Sequence, residues 1–543
     1  MENQRTLLYL AFFFTLFLLY QQWQQDYAPQ ALENNVVNTN SSGEAVVSDA
    51  EISALPPADI PDTTTADLPV AESTVTRDPV HVVTDVLDLF IDVQGGTIYQ
   101  LDLRKYEQNA DVMHKPFRLF SHQESQYYTA QSGLVSATFP APNHKDVYTA
   151  EKTEYRLQEG MDSIEVRLIW QKDNVTVTKI FTFKRDSYVI DVEHVVNASE
   201  WTGSEYRQLA RAHQEARSMM IPTYVGGVVY NDEIKYEKLD FNDISEETFK
   251  SDMKGGWIAM IEHYFLSAWV PDQQQTNFTY TSHPTSNRYI LGMRSPAEKA
   301  IVNEPARFKS QLVVGPKLQK RLEEIAPGLE LTVDYGVLTI LSKPLFWLLQ
   351  VFHTFFDNWG WAIIFLTITV KAVFYKLSEV GYKSMAKMRK ITPRLQTLKE
   401  RFGDDRQRMS AEMMKMYKEE KINPLGGCLP ILIQIPVFIA LYWVLLESVE
   451  MRNAPFALWI QNLSVQDPYF ILPILMGATM YIQQKLNPAP VDPVQQKIFQ
   501  FMPLVFTVFF LFFPAGLVLY WVVNNTLSIA QQYVITRRIE AGK

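Results

Sequence analysis

The sequence predicts a mixed fold: a polytopic α-helical membrane core of six transmembrane helices joined to a large β-sandwich. Three observations carry that reading. Long apolar runs occur at residues 6–20 and again after about residue 340. Between them, residues 79–318 alternate apolar and polar positions with period two. Lys and Arg then concentrate in loops between the later apolar runs, as positive-inside placement requires.

The first run, TLLYLAFFFTLFLLY at 6–20, follows Arg5. Bulky polar residues (QQWQQDYAP) follow it where a cleaved signal would need small ones, so an uncleaved signal anchor is expected over 1–27. Residues 28–78 are rich in Ser, Thr, Pro and acids, with no Lys or Arg from Arg5 to Arg77, and read as a flexible non-cytoplasmic linker. In the β region, VRLIW (166–170), VTVTKIFTFK (175–184) and YVIDVEHVV (188–196) read as strands. Gly95-Gly96, Arg185-Asp186 and Gly226-Gly227 read as turns between strands. The first convincing helix is KLQKRLEEI at 317–325. Connecting and interfacial helices are expected over 319–360, with KPLFWLLQVFHTFF (343–356) lying in the membrane surface.

The core is expected over 361–535. Its first span, WAIIFLTITVKAVFY at 361–375, contains Lys371. A charge at the centre of a membrane helix costs about 2.5–3.5 kcal/mol, so it faces protein or a wet cavity, or it snorkels to the headgroups. Thr367 is four residues earlier, on the same helix face. Residues 376–421 carry thirteen Lys and Arg and fewer acids, which makes them cytoplasmic. Their apolar residues recur at three and four, on both sides of Gly403-Asp404-Asp405, giving a helical hairpin with a Met-rich packing seam. Further spans follow at 425–446, with Gln434 inside, and at 469–482. The stretch from Ile498 to Ile535 is too long for one span and breaks at Pro514-Ala515-Gly516, so it forms two. The basic tail 536–543 completes a six-crossing chain with both ends cytoplasmic.

Composition narrows the function. A net charge of −10 argues against specific nucleic acid as a partner, and one cysteine, Cys428, excludes an internal disulfide and a cysteine metal cluster. No nucleotide loop, HExxH or nucleophile elbow occurs, so no cofactor, metal or enzymatic chemistry is expected. His194 reads as a structural residue in a strand, and His353 as an interface residue. Carboxylates are almost absent from the last five spans, which weighs against an ion-coupled transporter. A membrane-anchored carbohydrate-binding sandwich is the other alternative, and fold alone does not decide it.

Several stretches carry a resemblance: SMAKMRKITPRLQTLKERFGDDRQRMSAEMMKMYKEEKINPLGGCLPILIQIPVFIALYWVL, APFALWIQNLSVQDPYFILPILMGATM, QQKIFQFMPLVFTVFF and FPAGLVLYW. Over about 343–535 the chain resembles the YidC/Oxa/Alb membrane-protein insertases. With its anchor and β region it resembles their Gram-negative bacterial branch. The resemblance implies a periplasmic β-supersandwich and an inner-membrane insertase and chaperone working alone or with the Sec translocon. It implies nascent membrane proteins, the ribosome and the lipid bilayer as partners. It also implies a hydrophilic groove, open to cytoplasm and lipid, built around a cation at the position of Lys371. The family more often has arginine there, and tyrosine where Trp521 stands. The expected groove residues are Lys371, Thr367, Gln434, Tyr520, Trp521 and Asn524. The expected hairpin contacts are Lys387, Arg389, Arg394, Arg401, Arg406 and Arg408.

Overall fold

The computed structural model describes residues 78–108, 115–212, 223–285, 287–402, 405–420, 429–487 and 493–540. The expected anchor at 1–27, the expected linker at 28–78 apart from Asp78, and Cys428 lie outside them. The chain divides into two units, a β-rich one ending at Val333 and a helical one beginning at Asp334.

The β-rich unit is built from an eleven-stranded and a nine-stranded sheet, with almost every pairing antiparallel. The strand Val175–Lys184 shows how the pattern produces the fold. Val175, Val177, Phe181 and Phe183 point inward and are buried, while the threonines between them are half-buried. It pairs with Ser163–Lys172 on one side and Val189–Asn197 on the other. The turns at Asp186, Gly95 and Gly96 adopt positive φ, as expected for reversals. Gly226 and Gly227 behave differently from the expectation. They open the strand Gly226–Asn231 and pair with Ile261 and Met260. A side chain at Gly226 would meet the Tyr224 ring, so the glycine answers a close approach, not a turn. A short helix, α1 (Phe241–Glu246), was not foreseen; α2 (Gln319–Ile325) was.

Hydrogen bonds stitch the two sheets face to face. The Trp269 indole donates to the Gln208 carbonyl, and the Tyr128 hydroxyl to the Met260 carbonyl. Lys179 occupies an inward position of its strand and is fully buried. Its ammonium crosses to the other sheet, donating to Gly95 O and Gly96 O at 2.9 Å and Ser132 O at 3.1 Å. Burial pushes it down to about 7, and the Glu205 carboxylate opposes that shift. His194 has the structural role expected of it. It reaches Glu205 across the sandwich at 2.8 Å, and Arg207 Nε donates to the second carboxylate oxygen at 2.7 Å.

In the helical unit, α3 spans Thr339–Phe356. It therefore starts before the expected Lys343 and takes Pro344 into an early turn, where the forfeited bond falls at exposed Ile340. Next come α4 (Trp359–Val373) and α5 (Tyr375–Phe402), with a 68° bend between them. The predicted span through Tyr375 thus stops short, at Val373. Helix α6 (Arg406–Glu419) returns along α5, capped by Asp405, whose carboxylate accepts from Arg408 N. Ile391 and Leu395 pack with Met388, Met413, Met416 and Tyr417, so these methionines form the hairpin seam. The remaining helices are α7 (Leu429–Glu447), α8 (Ile471–Leu486), α9 (Pro493–Phe510) and α10 (Ala515–Glu540). The break at Pro514 falls where expected. A side chain at Gly477 of α8 would strike Thr507 of α9, so glycine lets these two helices close up. Among the described residues no single helix is long and apolar enough to cross a membrane; the bent pair α4–α5 together meets that measure. Helix α4 has 15 residues, about 22 Å, against a hydrocarbon core of about 30 Å. Helix α10 is long enough at 26 residues, but Asn524, Asn525, Gln531 and Gln532 dilute its apolar character.

Lys179 generates a stability prediction. Lys179→Met keeps the side-chain length but leaves three buried carbonyls without this donor, while Glu205 keeps its Arg207 partner. Urea unfolding of the β-rich unit, followed by tryptophan fluorescence, should show a loss of about 3 kcal/mol or more. A loss below about 1 kcal/mol would contradict this reading of the inter-sheet tie.

Candidate functional site

The site grows from one face of α10. Tyr520, Asn524, Ser528 and Gln532 follow one another at four-residue spacing and are all buried. A helix buried in water-soluble protein would show apolar residues at such positions. Here the inward stripe is polar, and it meets the one charged residue of α4. Lys371 is 5 % exposed and lies at the last turn of α4. Its ammonium donates to Ser528 Oγ at 2.7 Å and to Gln434 Oε1, on α7, at 3.3 Å. Gln434 Nε2 in turn donates to Asn524 Oδ1 at 2.5 Å, and the Ser528 hydroxyl donates to the Asn524 carbonyl at 2.8 Å. The Tyr382 hydroxyl, from α5, lies beside Ser528. Three core helices, α4, α7 and α10, thus converge on one cation, and both of its hydrogen-bond partners are neutral.

No carboxylate pairs with Lys371 among the described residues. An ammonium has three donors, and the two bonds found leave room for one more acceptor. The Tyr520 hydroxyl is buried beside Gln434, without a well-aligned hydrogen bond among the described residues. The cluster therefore presents a net positive charge and a buried hydroxyl within an apolar helical unit. Such a site attracts an anion or a polar backbone and performs no bond chemistry by itself. Among the described residues no group of His, Cys, Asp and Glu could hold a metal.

Of the expected groove residues, Lys371, Gln434 and Asn524 come together directly, with Tyr520 next to them. Thr367 is buried on α4, but its hydroxyl donates to Ile363 O of its own helix at 2.7 Å. The polar stripe expected from Thr367 to Lys371 is thus a matter of spacing, without a bond between them. Trp521 departs further from expectation: its ring packs against Phe438 at 4.2 Å and Phe510 at 5.7 Å, in an aromatic wall. Ser528, the nearest partner of Lys371, is not among the residues that the sequence singles out. The four-residue spacing from Asn524 was the available signal.

On the hairpin, Lys387, Arg389, Arg394, Arg401 and Arg408 are exposed, and the side chain of Arg406 lies outside the description. Arg394 pairs with Glu420 at 2.7 Å, Arg408 with Asp405 at 3.3 Å, and Arg401 lies over the Phe402 ring. Lys387 and Arg389 project without an ion-pair partner among the described residues.

Comparison with known proteins supplies the family. Residues 351–542 match the family described as 60Kd inner membrane protein, and residues 79–348 match the YidC periplasmic domain. Among curated relatives, the membrane protein insertase YidC of Thioalkalivibrio sulfidiphilus is 51% identical, covering 100% of both chains. That of Methylococcus capsulatus is 48% identical, covering 99% of each. A solved structure described as an active YidC insertase with its first transmembrane domain resolved aligns with 17% identity and a TM-score of 0.40. That alignment covers 85% of this chain and 93% of the other. Full-length identity at this level is decisive: the chain belongs to the YidC family of membrane protein insertases.

Proposed function

We propose that this chain is an inner-membrane insertase and chaperone that brings nascent membrane proteins into the bilayer, folds them and helps assemble them. The observation that carries the reading is the Lys371 ammonium, buried in a helical unit and bonded only to neutral side chains. A cation placed there for stability alone would be better paired with a carboxylate. One donor short of saturation, it suits a transient anionic guest.

The working arrangement follows from that charge. The short polar or acidic translocated part of a substrate enters from the cytoplasmic side and is drawn to Lys371. Gln434, Asn524, Tyr520 and Thr367 line its way, and Trp521 forms the aromatic wall beside it. The apolar part of the substrate then leaves against lipid-facing residues. Helices α8 and α9 support this with exposed Ile474, Leu475, Ile482, Leu504, Val505 and Val508, an apolar surface suited to lipid. The energy comes from burying the substrate's apolar helix, aided by the membrane potential on its charges. No cofactor and no covalent step is needed.

The proposal includes the topology: six crossings with both ends cytoplasmic, an anchor at 1–27, a periplasmic linker at 28–78 and a periplasmic sandwich at 79–318. Connecting helices at 319–360 lead to the insertase core at 361–535, which carries the cytoplasmic hairpin 376–421 and ends in the tail 536–543. Exposed Lys387 and Arg389, with Arg394, Arg401, Arg406 and Arg408 on the same hairpin, face the ribosome or the emerging chain. The Sec translocon and its accessory subunits are further partners.

Two experiments test this. In proteoliposomes at equal protein amounts, Lys371→Arg should retain insertion. Lys371→Ala should slow acidic-tailed substrates by roughly tenfold, the scale of one hydrogen bond to a charge, and neutral-tailed ones less. Lys371→Glu should be worst, through like-charge repulsion in a weakly screened site. Wild-type rates for the Ala and Glu variants would make Lys371 a snorkelling residue. For topology, a protein with Cys428→Ser and Lys415→Cys should react with a membrane-impermeant thiol reagent only after the membrane is opened. Labelling of intact cells from outside would overturn the orientation.

A further inference from the structure

We infer that Asn524 is the positioning residue of the cation site, acting on Lys371 through Gln434 and Ser528 at once. The inference rests on the reading of Lys371 as the substrate-facing cation. Its basis is the direction of each hydrogen bond. Ser528 has a single hydroxyl proton, and it is committed to the Asn524 carbonyl at 2.8 Å, which turns an oxygen lone pair toward Lys371 Nζ at 2.7 Å. Gln434 has an amide that fits its place in either of two orientations. Its NH2 is committed to Asn524 Oδ1 at 2.5 Å, which leaves Oε1 facing Lys371 at 3.3 Å. Rotated by half a turn, the same amide would present its own N–H groups to the ammonium and repel it.

One residue therefore sets the polarity of both acceptors, one through its backbone and one through its side chain. The geometry makes Asn524 more than a packing residue. It is 8 % exposed and faces α7, and its carboxamide oxygen accepts from Gln434, not from its own helix. With both acceptors aimed, the ammonium is held at a fixed point between α4, α7 and α10, and its third donor is free for the carboxylate of a guest. Without the Asn524 side chain, Ser528 keeps its backbone partner, but Gln434 loses the acceptor that orients its amide. The predicted defect is thus specific: weaker holding of the cation by Gln434, with Ser528 unaffected.

The test uses the full chain in proteoliposomes and a pair of single-span substrates whose translocated tails carry either two aspartates or two asparagines. The readout is the ratio of insertion rates, acidic over neutral, which protein amount and general folding do not move. Asn524→Ala should lower that ratio about fivefold, the scale of one neutral hydrogen bond. Gln434→Ala should lower it similarly, and Asn524→Ala should add nothing in the Gln434→Ala background. Multiplying effects in the double variant, or an unchanged ratio in Asn524→Ala while Lys371→Ala lowers it, would overturn the positioning role alone. An unchanged ratio in Lys371→Ala would instead overturn the underlying reading of the site.

Discussion

A buried ammonium must be satisfied, and the manner of satisfaction decides what it does. Among the described residues, Lys179 of the β-rich unit and Lys371 of the helical unit are both buried, and they are answered in opposite ways. Lys179 sits in the inward register of a strand and fills all three donors with carbonyl oxygens, near the Glu205 carboxylate. It is saturated, and its role is to hold one sheet to the other. Lys371 receives a hydroxyl and an amide oxygen, no charge and no third acceptor among the described residues. The first arrangement is a fastening. The second has a valence left open, in a helical unit that carries the family's insertase region.

The same constraint gives a reason for lysine over arginine at this position. A guanidinium carries five N–H donors in a planar fork, and Gln434 and Ser528 supply only two acceptors between them. An ammonium is compact and lets three helices close to within single hydrogen bonds of one nitrogen. The close approach shows in the burial of the surroundings: Ser528 and Tyr520 are almost wholly enclosed. Arginine at the same place would carry the charge equally well, but it would need more acceptors or a looser fit of α10 against α7.

Much of this was legible in the chain itself. Alternation in VTVTKIFTFK marked a strand with the right limits, and Pro514-Ala515-Gly516 marked the break between α9 and α10. Lys371 stood out because apolar helices rarely carry a charge, and Gln434 and Asn524 because they are polar where lipid is the alternative. What escaped was partnership. A serine in a helix is usually satisfied by its own backbone, so nothing in the residue type distinguished Ser528 from Thr367, whose hydroxyl is spent in that way. Trp521 was placed in the groove by resemblance, and its packing against Phe438 and Phe510 was not legible in the sequence. Lys179 could have been read from strand parity, since it falls in phase with Val177 and Phe181. Gly226-Gly227 misled because glycine pairs signal turns more often than close approaches inside a sheet. The bend at Phe374 falls where the sequence has neither proline nor glycine to mark it.

The central claim is that a nascent segment passes the Lys371 cluster on its way into lipid. Site-specific crosslinking tests it most directly, with a photoreactive residue replacing Thr367 or Gln434 and ribosome-bound chains stalled at successive lengths. The account predicts adducts from both positions, appearing when the substrate's translocated segment has just left the ribosome and fading as its apolar helix is released. Adducts that never form at these two positions, while exposed positions on α8 and α9 still crosslink, would contradict it.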